Sequence, residues 1–345
     1  MLLQSLERTI TMRLGAYTAV LHDRDLGPAL EVLRKLGLNG AEINSGGFLP
    51  PRHLPIDDVL SSDVKRDEYL NEFSSRGMAI TALNCNGNPL HPDPEVGSKH
   101  GQDVFDAITL AARLGVKRVI TMSGCPGSEP GTKRPTFVVN PWQSSDTETL
   151  AYQWDEVAIP YWKKVDQHAR EHGVKVGIEM HPQNVVFNPT SLIRLVEKTG
   201  AENLGAEMDP SHLFWQQIDP ITALEVLGEL TVTAAAKDVR INESVKIHGV
   251  LDDRFETPQD TSAAQNIGGH YYVNQWPKNA GWDFVAVGEG HDQDFWNCFV
   301  ETLHRVAPEA DLAIEHEDAA FGRVEGLEIA ATTLKKAFAH ASIDV

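Results

Sequence analysis

Cysteine is scarce in this 345-residue sequence. Cys85, Cys125 and Cys298 stand far apart and form no CxxC or CxxH spacing. That excludes a disulfide framework and a zinc knuckle, and it points to a reducing compartment. Long apolar runs are also missing: none approaches the roughly 20 residues needed to span a bilayer. The N-terminus, MLLQSLERTITMRLG, has too short an apolar run for a secretion signal and carries an early Glu7. A cytoplasmic protein without a membrane partner is the expectation. Positive charge is short as well. Thirty Lys and Arg face 49 Asp and Glu, for a net charge of −19 and a pI of about 5.1. Such a surface repels a phosphate backbone, which argues against nucleic acid as a partner. No G-x-G-x-x-G follows a strand-like run and no linker divides the middle, so two doubly wound domains are disfavoured.

What is present is an alternation. Short β-type runs at 13–21, 40–44, 78–86, 118–124, 175–181, 204–209, 231–238 and 311–317 alternate with amphipathic segments. Those segments lie at 25–36, 63–76, 98–114, 148–172, 190–199, 219–229, 292–306 and 324–341. Eight strand–helix units predict a single (β/α)8 TIM barrel, an α/β fold. Residues 1–12, where Met12 offers a second start, read as an extension ahead of one domain over 13–345. A segment from 125 to about 147, rich in Pro, Gly and Ser, and a stretch from 239 to 290 with little regular period are expected to cover the C-terminal mouth of the barrel.

The chain writes almost the same hexapeptide twice: GIEMHP at 177–182 and GAEMDP at 205–210. Consecutive strands of one barrel explain the likeness. They do not explain the residues that follow, because strand C-termini carry the active sites of this fold. There the sequence places Glu179, His181, Asp209, His212, Lys237, Asp238, Glu315, His316 and Glu317. Residues two apart share a strand face, so Glu179 and His181 are expected to look into the barrel together. Carboxylates from strands five, six and eight repel one another in a half-buried mouth and need a cation. Oxygen-rich ligation suits Mn²⁺ or Mg²⁺ better than a closed zinc site. His181 reads as an acid/base beside that metal, against a histidine that only hydrogen-bonds its neighbours. Lys237 either neutralises an enolate oxygen or pairs with Asp238. Asn84, Asn86, Asn88 and His91 suit sugar hydroxyls, and they suit turns nearly as well. Trp142, Trp215, Trp276 and Trp282 either stack on a sugar or aryl group or seal the long loops.

Together, IEMHP, EMDPSHLFW, the strand ending AKD, VGEGHD and IEHED resemble the sugar phosphate isomerase/epimerase superfamily of xylose-isomerase-like barrels. The resemblance covers nearly the whole chain. It implies a divalent metal held by Glu179, Asp209 and Glu315, with His212 near the substrate. It also implies a histidine on strand seven, where this sequence has Ala235. Water, substrate or another residue then supplies the fourth ligand. His291 is the first choice, with His270 and His248 behind it. The implied chemistry is proton abstraction beside a sugar carbonyl. A closer resemblance, to large subunits of C-glycoside deglycosidases, implies cleavage of a 3-oxo-glycoside by elimination, and a small partner subunit or a homo-oligomer as the assembly. The same deprotonation begins isomerisation or epimerisation of a ketose. A sugar-binding subunit that has lost catalysis is the remaining alternative, for which Ala235 is the argument.

Overall fold

The computed structural model describes residues 12–262 and 264–344. Eight parallel strands follow one another around a closed ring: β1 (Leu14–Tyr17), β2 (Gly40–Asn44), β3 (Ala79–Asn84), β4 (Arg118–Met122), β5 (Lys175–Glu179), β6 (Leu204–Met208), β7 (Thr231–Ala236) and β8 (Leu312–Ile314). Leu14 lies against Leu312 and closes the ring. Helices pack outside, including Leu26–Lys35, Asp63–Ser74, Pro94–Leu114, Ile159–His172, Pro189–Thr199, Gln293–Val306 and Arg323–His340. The fold is the (β/α)8 barrel that the alternation predicts. The proposed extension lies almost wholly outside the described residues. No helix among them is long and apolar enough to cross a membrane.

The strands are shorter than their apolar runs at the C-terminal end. The first passes into a 3-10 turn at Thr18–Leu21. The fifth stops at Glu179, because the His181 amide donates to the Glu179 carbonyl (2.9 Å) and closes a tight turn over Met180. Met180 is nonetheless fully buried. The third helix starts earlier than its apolar period suggests, because Asp93 caps it and Pro94 occupies its first turn. The fourth starts at Ser144 and passes through a π-helical stretch, Tyr152–Ala158, before Ile159. The 239–290 stretch contains structure that no local period announces. Asp238–Ile241 pairs antiparallel with Trp282–Val285, and Asn266–Gly268 with Tyr271–Tyr272.

Both long segments leave the C-terminal ends of strands and stay at that mouth. Gln153 pins the first by donating its amide to the carbonyls of Pro126, Gly127 and Thr136. Phe137 of the same segment sets its ring 5.2 Å from that of Phe187, beyond β5. The second reaches across the mouth, bringing Gln265 and Phe284 to the same cavity as Glu179 and Glu315. Its smaller ribbon lies over the start of the Pro94–Leu114 helix, where Tyr271 meets His91 at 5.3 Å.

The repeated hexapeptides lie side by side in register, Gly177 against Gly205 and Glu179 against Glu207. The likeness is therefore structural as well as local: adjacent strands place a glycine low and a glutamate high on the same inward face. A Cβ on Gly205 would stand 2.2 Å from the Leu230 carbonyl oxygen, whereas one on Gly177 would meet the rotatable Ile120 Cδ1 at 2.9 Å. Gly205→Ala should cost about 1–3 kcal/mol of stability, and Gly177→Ala less. Urea unfolding of the two variants measures the difference.

Candidate active site

Glu179 ends β5, Asp209 follows β6 by one residue, and Glu315 follows β8 by one. Their carboxylates converge, with one oxygen from each lying within 4.8 Å of the others. All three are buried. Asp209 Oδ1 accepts from the Ser211 amide (2.8 Å) at the start of the turn Ser211–Phe214. That turn sends His212 back over the cluster, with Nε2 3.0 Å from Glu179 Oε1 and 3.3 Å from Asp209 Oδ2. Asp209 Oδ2 itself is buried and has no hydrogen-bond partner among the described residues. An orphaned carboxylate oxygen beside two further carboxylates fits a divalent cation. Hard oxygen donors with the imidazoles of His212 and His181 nearby are a donor set that such an ion takes.

The two oxygens of Glu179 are held separately: Asn86 donates its amide to Oε2 (2.6 Å) and His212 sits at Oε1. Asn86 therefore orients Glu179. Asn84 lies deeper and is fully buried, giving its amide to Glu42 Oε1 (2.7 Å) while its oxygen takes the Asn86 amide N–H (2.9 Å). His91 takes the Asp93 amide N–H on Nδ1 (3.0 Å), under the insertion ribbon.

His181 is brought to the cluster, although by the turn at Met180 and not by strand pleating. Its ring centroid lies 4.1 Å from that of His212. Nδ1 stands 2.6 Å from the Pro182 carbonyl oxygen. A carbonyl only accepts, so Nδ1 carries the hydrogen and Nε2 keeps its lone pair. Burial, reinforced by His212, pushes the His181 pKa down to about 4, and the ring is neutral near pH 7.

Lys237 leaves Asp238 alone. Its Nζ lies 2.8 Å from Glu317, 3.2 Å from Glu315 and 3.7 Å from Asp209. Burial opposes its charge, but Glu317, Glu315, Asp209 and Glu179 outweigh that and hold it protonated well above its usual range. It thus stands between strands six and eight, on the side where the resemblance places a histidine and the chain has Ala235.

His291 does not join the cluster. Its Nδ1 is 2.7 Å from Asp238 Oδ1 and its ring stacks on Phe214 at 3.7 Å. Asp238 Oδ2 also accepts the amides of Gly288, Gly290 and His291. These residues tie the end of the insertion back to its beginning, a structural duty that local spacing does not distinguish from ligation. His270 is exposed on the ribbon, stacked on Tyr271, and His248 ends the short helix Val245–His248. Trp215 is buried and stacks on Trp282 with centroids 5.6 Å apart, and Trp276 and Phe284 extend the same wall to His212.

The sequence reading passed over Glu42 altogether, although it stands in the GAEIN strand. It also passed over Tyr17, which donates its hydroxyl to Asn44 (2.9 Å), and Phe284. Tyr17, Asn44, Asn86, Glu179, His181, Lys237 and Glu315 line a cavity of about 150 Å³. That is well under the roughly 300–1,000 Å³ of drug-sized ligand sites, and suits a ligand of single-sugar scale.

A closed parallel barrel with a carboxylate cluster, an imidazole and an ammonium at its strand C-termini defines the class of this protein. The chain belongs to the xylose isomerase-like TIM barrel family, whose model matches residues 30–337. It is 35% identical over 330 residues to the uncharacterized protein YfiH of Bacillus subtilis (strain 168), covering 94% of this chain and 99% of that one. Among solved structures it resembles the IolI protein with a bound zinc atom (TM-score 0.59, 17% identity, covering 96% and 98% of the two chains). It also resembles L-ribulose 3-epimerase (TM-score 0.57, 14% identity, covering 96% and 97%). At these identities both likenesses speak to the fold.

Burial raises Asp209 from 3.8 to about 7 and Glu42 from 4.5 to about 7, against the pull of Lys237 and Asn84 respectively. In the folded metal-free protein both keep a proton that the unfolded chain has already released between those values. Their contribution to the stability of the metal-free protein therefore falls as pH rises from about 4 to about 7, while His22, His100 and His181, lowered by burial to about 4, contribute with the opposite sign below about pH 6.5. Glu207 and Glu315, raised further by burial, extend the decline to higher pH. In chelator the thermal midpoint of Glu42→Gln should gain on that of the wild type as pH rises from 5 to 8, and added divalent ion should raise the wild-type midpoint more at pH 8 than at pH 5.

Proposed function

We propose that this protein is a divalent-metal-dependent enzyme that removes the proton beside a sugar carbonyl, with Mn²⁺ or Mg²⁺ as the metal. One observation carries the reading: Glu179, Asp209 and Glu315 converge within 4.8 Å next to a neutral His181 whose Nε2 is free to take a proton. A divalent ion bound there would polarise the carbonyl oxygen and so acidify the adjacent C–H. His181 Nε2 is the base. Lys237 supplies a fixed positive charge beside the oxygen on which negative charge develops. His212 and Asn86 hold Glu179 in place.

Two fates follow the shared deprotonation. In elimination from a 3-oxo-glycoside, the carbanion electrons re-form a double bond and expel the aglycone, which takes up a proton. The wall of Trp215, Trp282, Trp276 and Phe284 beside His212 favours this reading, since it offers flat apolar area to an aryl leaving group. In isomerisation or epimerisation of a ketose, the proton returns to carbon. The shared fold of L-ribulose 3-epimerase and the single-sugar size of the cavity support that second reading.

His181→Ala should lower turnover and solvent deuterium uptake at the α-carbon by about 10²–10⁴-fold while leaving metal content unchanged. Glu179→Gln should lose the metal as well. Incubation with aryl 3-oxo-glucosides and with free ketoses separates the two fates, by aglycone release in one case and by deuterium incorporation alone in the other. Near-normal exchange in His181→Ala would place the base elsewhere.

A further inference from the structure

Beneath the cluster at the mouth lies a second one that the proposed reaction does not use. Glu42 of β2, Glu207 of β6 and Glu315 beyond β8 also bring one oxygen each to within 4.8 Å of one another. The even-numbered strands supply all three, as they supply one layer of a barrel interior, where branched apolar side chains are the rule. Glu42 is 1% exposed and Glu207 0%. Glu42 is positioned by the Asn84 amide at 2.7 Å, and Asn84 by the backbone of Asn86. Glu207 is different: it is fully buried, and neither of its oxygens has a hydrogen-bond partner among the described residues. A carboxylate in that condition, aimed at two others, lacks a positive partner.

The charge balance points the same way. Glu42, Glu179, Glu207, Asp209, Glu315 and Glu317 are six carboxylates, and Lys237 is the basic side chain paired with them. Fully ionised, the group carries five negative charges. One divalent ion reduces this to three, and a second to one. Oxygens held at about 2.0–2.6 Å from one ion lie up to about 4–5 Å apart across it, so the observed spread needs little adjustment.

We propose that Glu42, Glu207 and Glu315 hold a second divalent cation inside the barrel, beneath the ion at Glu179, Asp209 and Glu315, with Glu315 bridging the two. The proposal rests on the reading of the outer site only through that shared ligand. The donors are all hard oxygens and three cysteines elsewhere take no part, so Mg²⁺, Mn²⁺ or Ca²⁺ is the class of ion. In this position the inner ion fixes the orientation of Glu315 and offsets the negative charge behind the outer ion. It does not touch the substrate, because the outer cluster lies between it and the cavity.

The full-length protein, stripped with chelator and titrated with Mn²⁺, tests this by bound-metal stoichiometry and electron paramagnetic resonance. Two equivalents with an exchange-coupled spectrum are expected. Glu207→Gln should bind one equivalent with the spectrum of isolated Mn²⁺, and Glu42→Gln should behave alike. Glu179→Gln should also fall to one, by losing the outer ion. A wild-type protein that binds a single uncoupled equivalent, unchanged in Glu207→Gln, overturns the proposal and leaves shared protons between the carboxylates. If Glu179→Gln leaves the stoichiometry intact while Glu207→Gln lowers it, the outer site fails and the inner one stands. Should the glutamine variants fail to fold, the wild-type stoichiometry and spectrum decide the question.

Discussion

Uncompensated negative charge inside the barrel is the constraint on which the rest of the site depends. Carboxylates crowd the C-terminal half of the barrel and Lys237 is the ammonium paired with them. Burial in the mouth, reinforced by repulsion from Glu179, raises both Asp209 and Glu42 to about 7. An ordinary barrel core avoids the difficulty by filling its layers with Val, Ile and Leu. Here the layer is acidic instead, and a divalent cation bound as proposed would offset that charge. The stability of the empty site and the chemistry of the filled one are two consequences of one electrostatic arrangement.

Lys237 makes this barrel's version of the arrangement its own. With Ala235 on strand seven, that side of the cluster is closed by an ammonium and not by an imidazole. His212 comes from the turn after β6 and binds Glu179 at 3.0 Å, and His181 comes from the turn after β5 with a lone pair free. A fixed positive charge and a neutral base side by side suit a reaction that places a proton on one group and negative charge near the other.

The 239–290 insertion turns an open mouth into a bounded cavity. Asp238 is its hinge pin, since one carboxylate gathers the amides of Gly288, Gly290 and His291 together with the His291 ring. With its two ends tied, the segment can present Phe284 and Gln265 to the cavity and carry the tryptophan wall over His212. The deeper Glu42, Glu207 and Glu315 cluster is sealed by the same closure.

Period and punctuation in the sequence were enough to determine the barrel. Alternating runs separated by glycine-terminated helices admit few other folds, and Gly115, Gly173 and Gly200 do end helices in the left-handed conformation. The identity of Glu179, Asp209 and Glu315 was legible too, because each sits at a strand end and parity sends it inward. Parity failed where the chain stopped being a strand. The turn at Met180 brings His181 to the site by a route that pleating does not describe, and long-range pairing assigns His291 to Asp238 instead of to a metal. Asn86, read in the sequence as a sugar ligand, lines the cavity and also donates to Glu179, a contact visible only once strand three stands beside the others. Glu42 and Glu207 lie 165 residues apart in the sequence, and nothing local to either marks a shared site. Only closure of the sheet, which sets strand two opposite strand six, makes their charges neighbours.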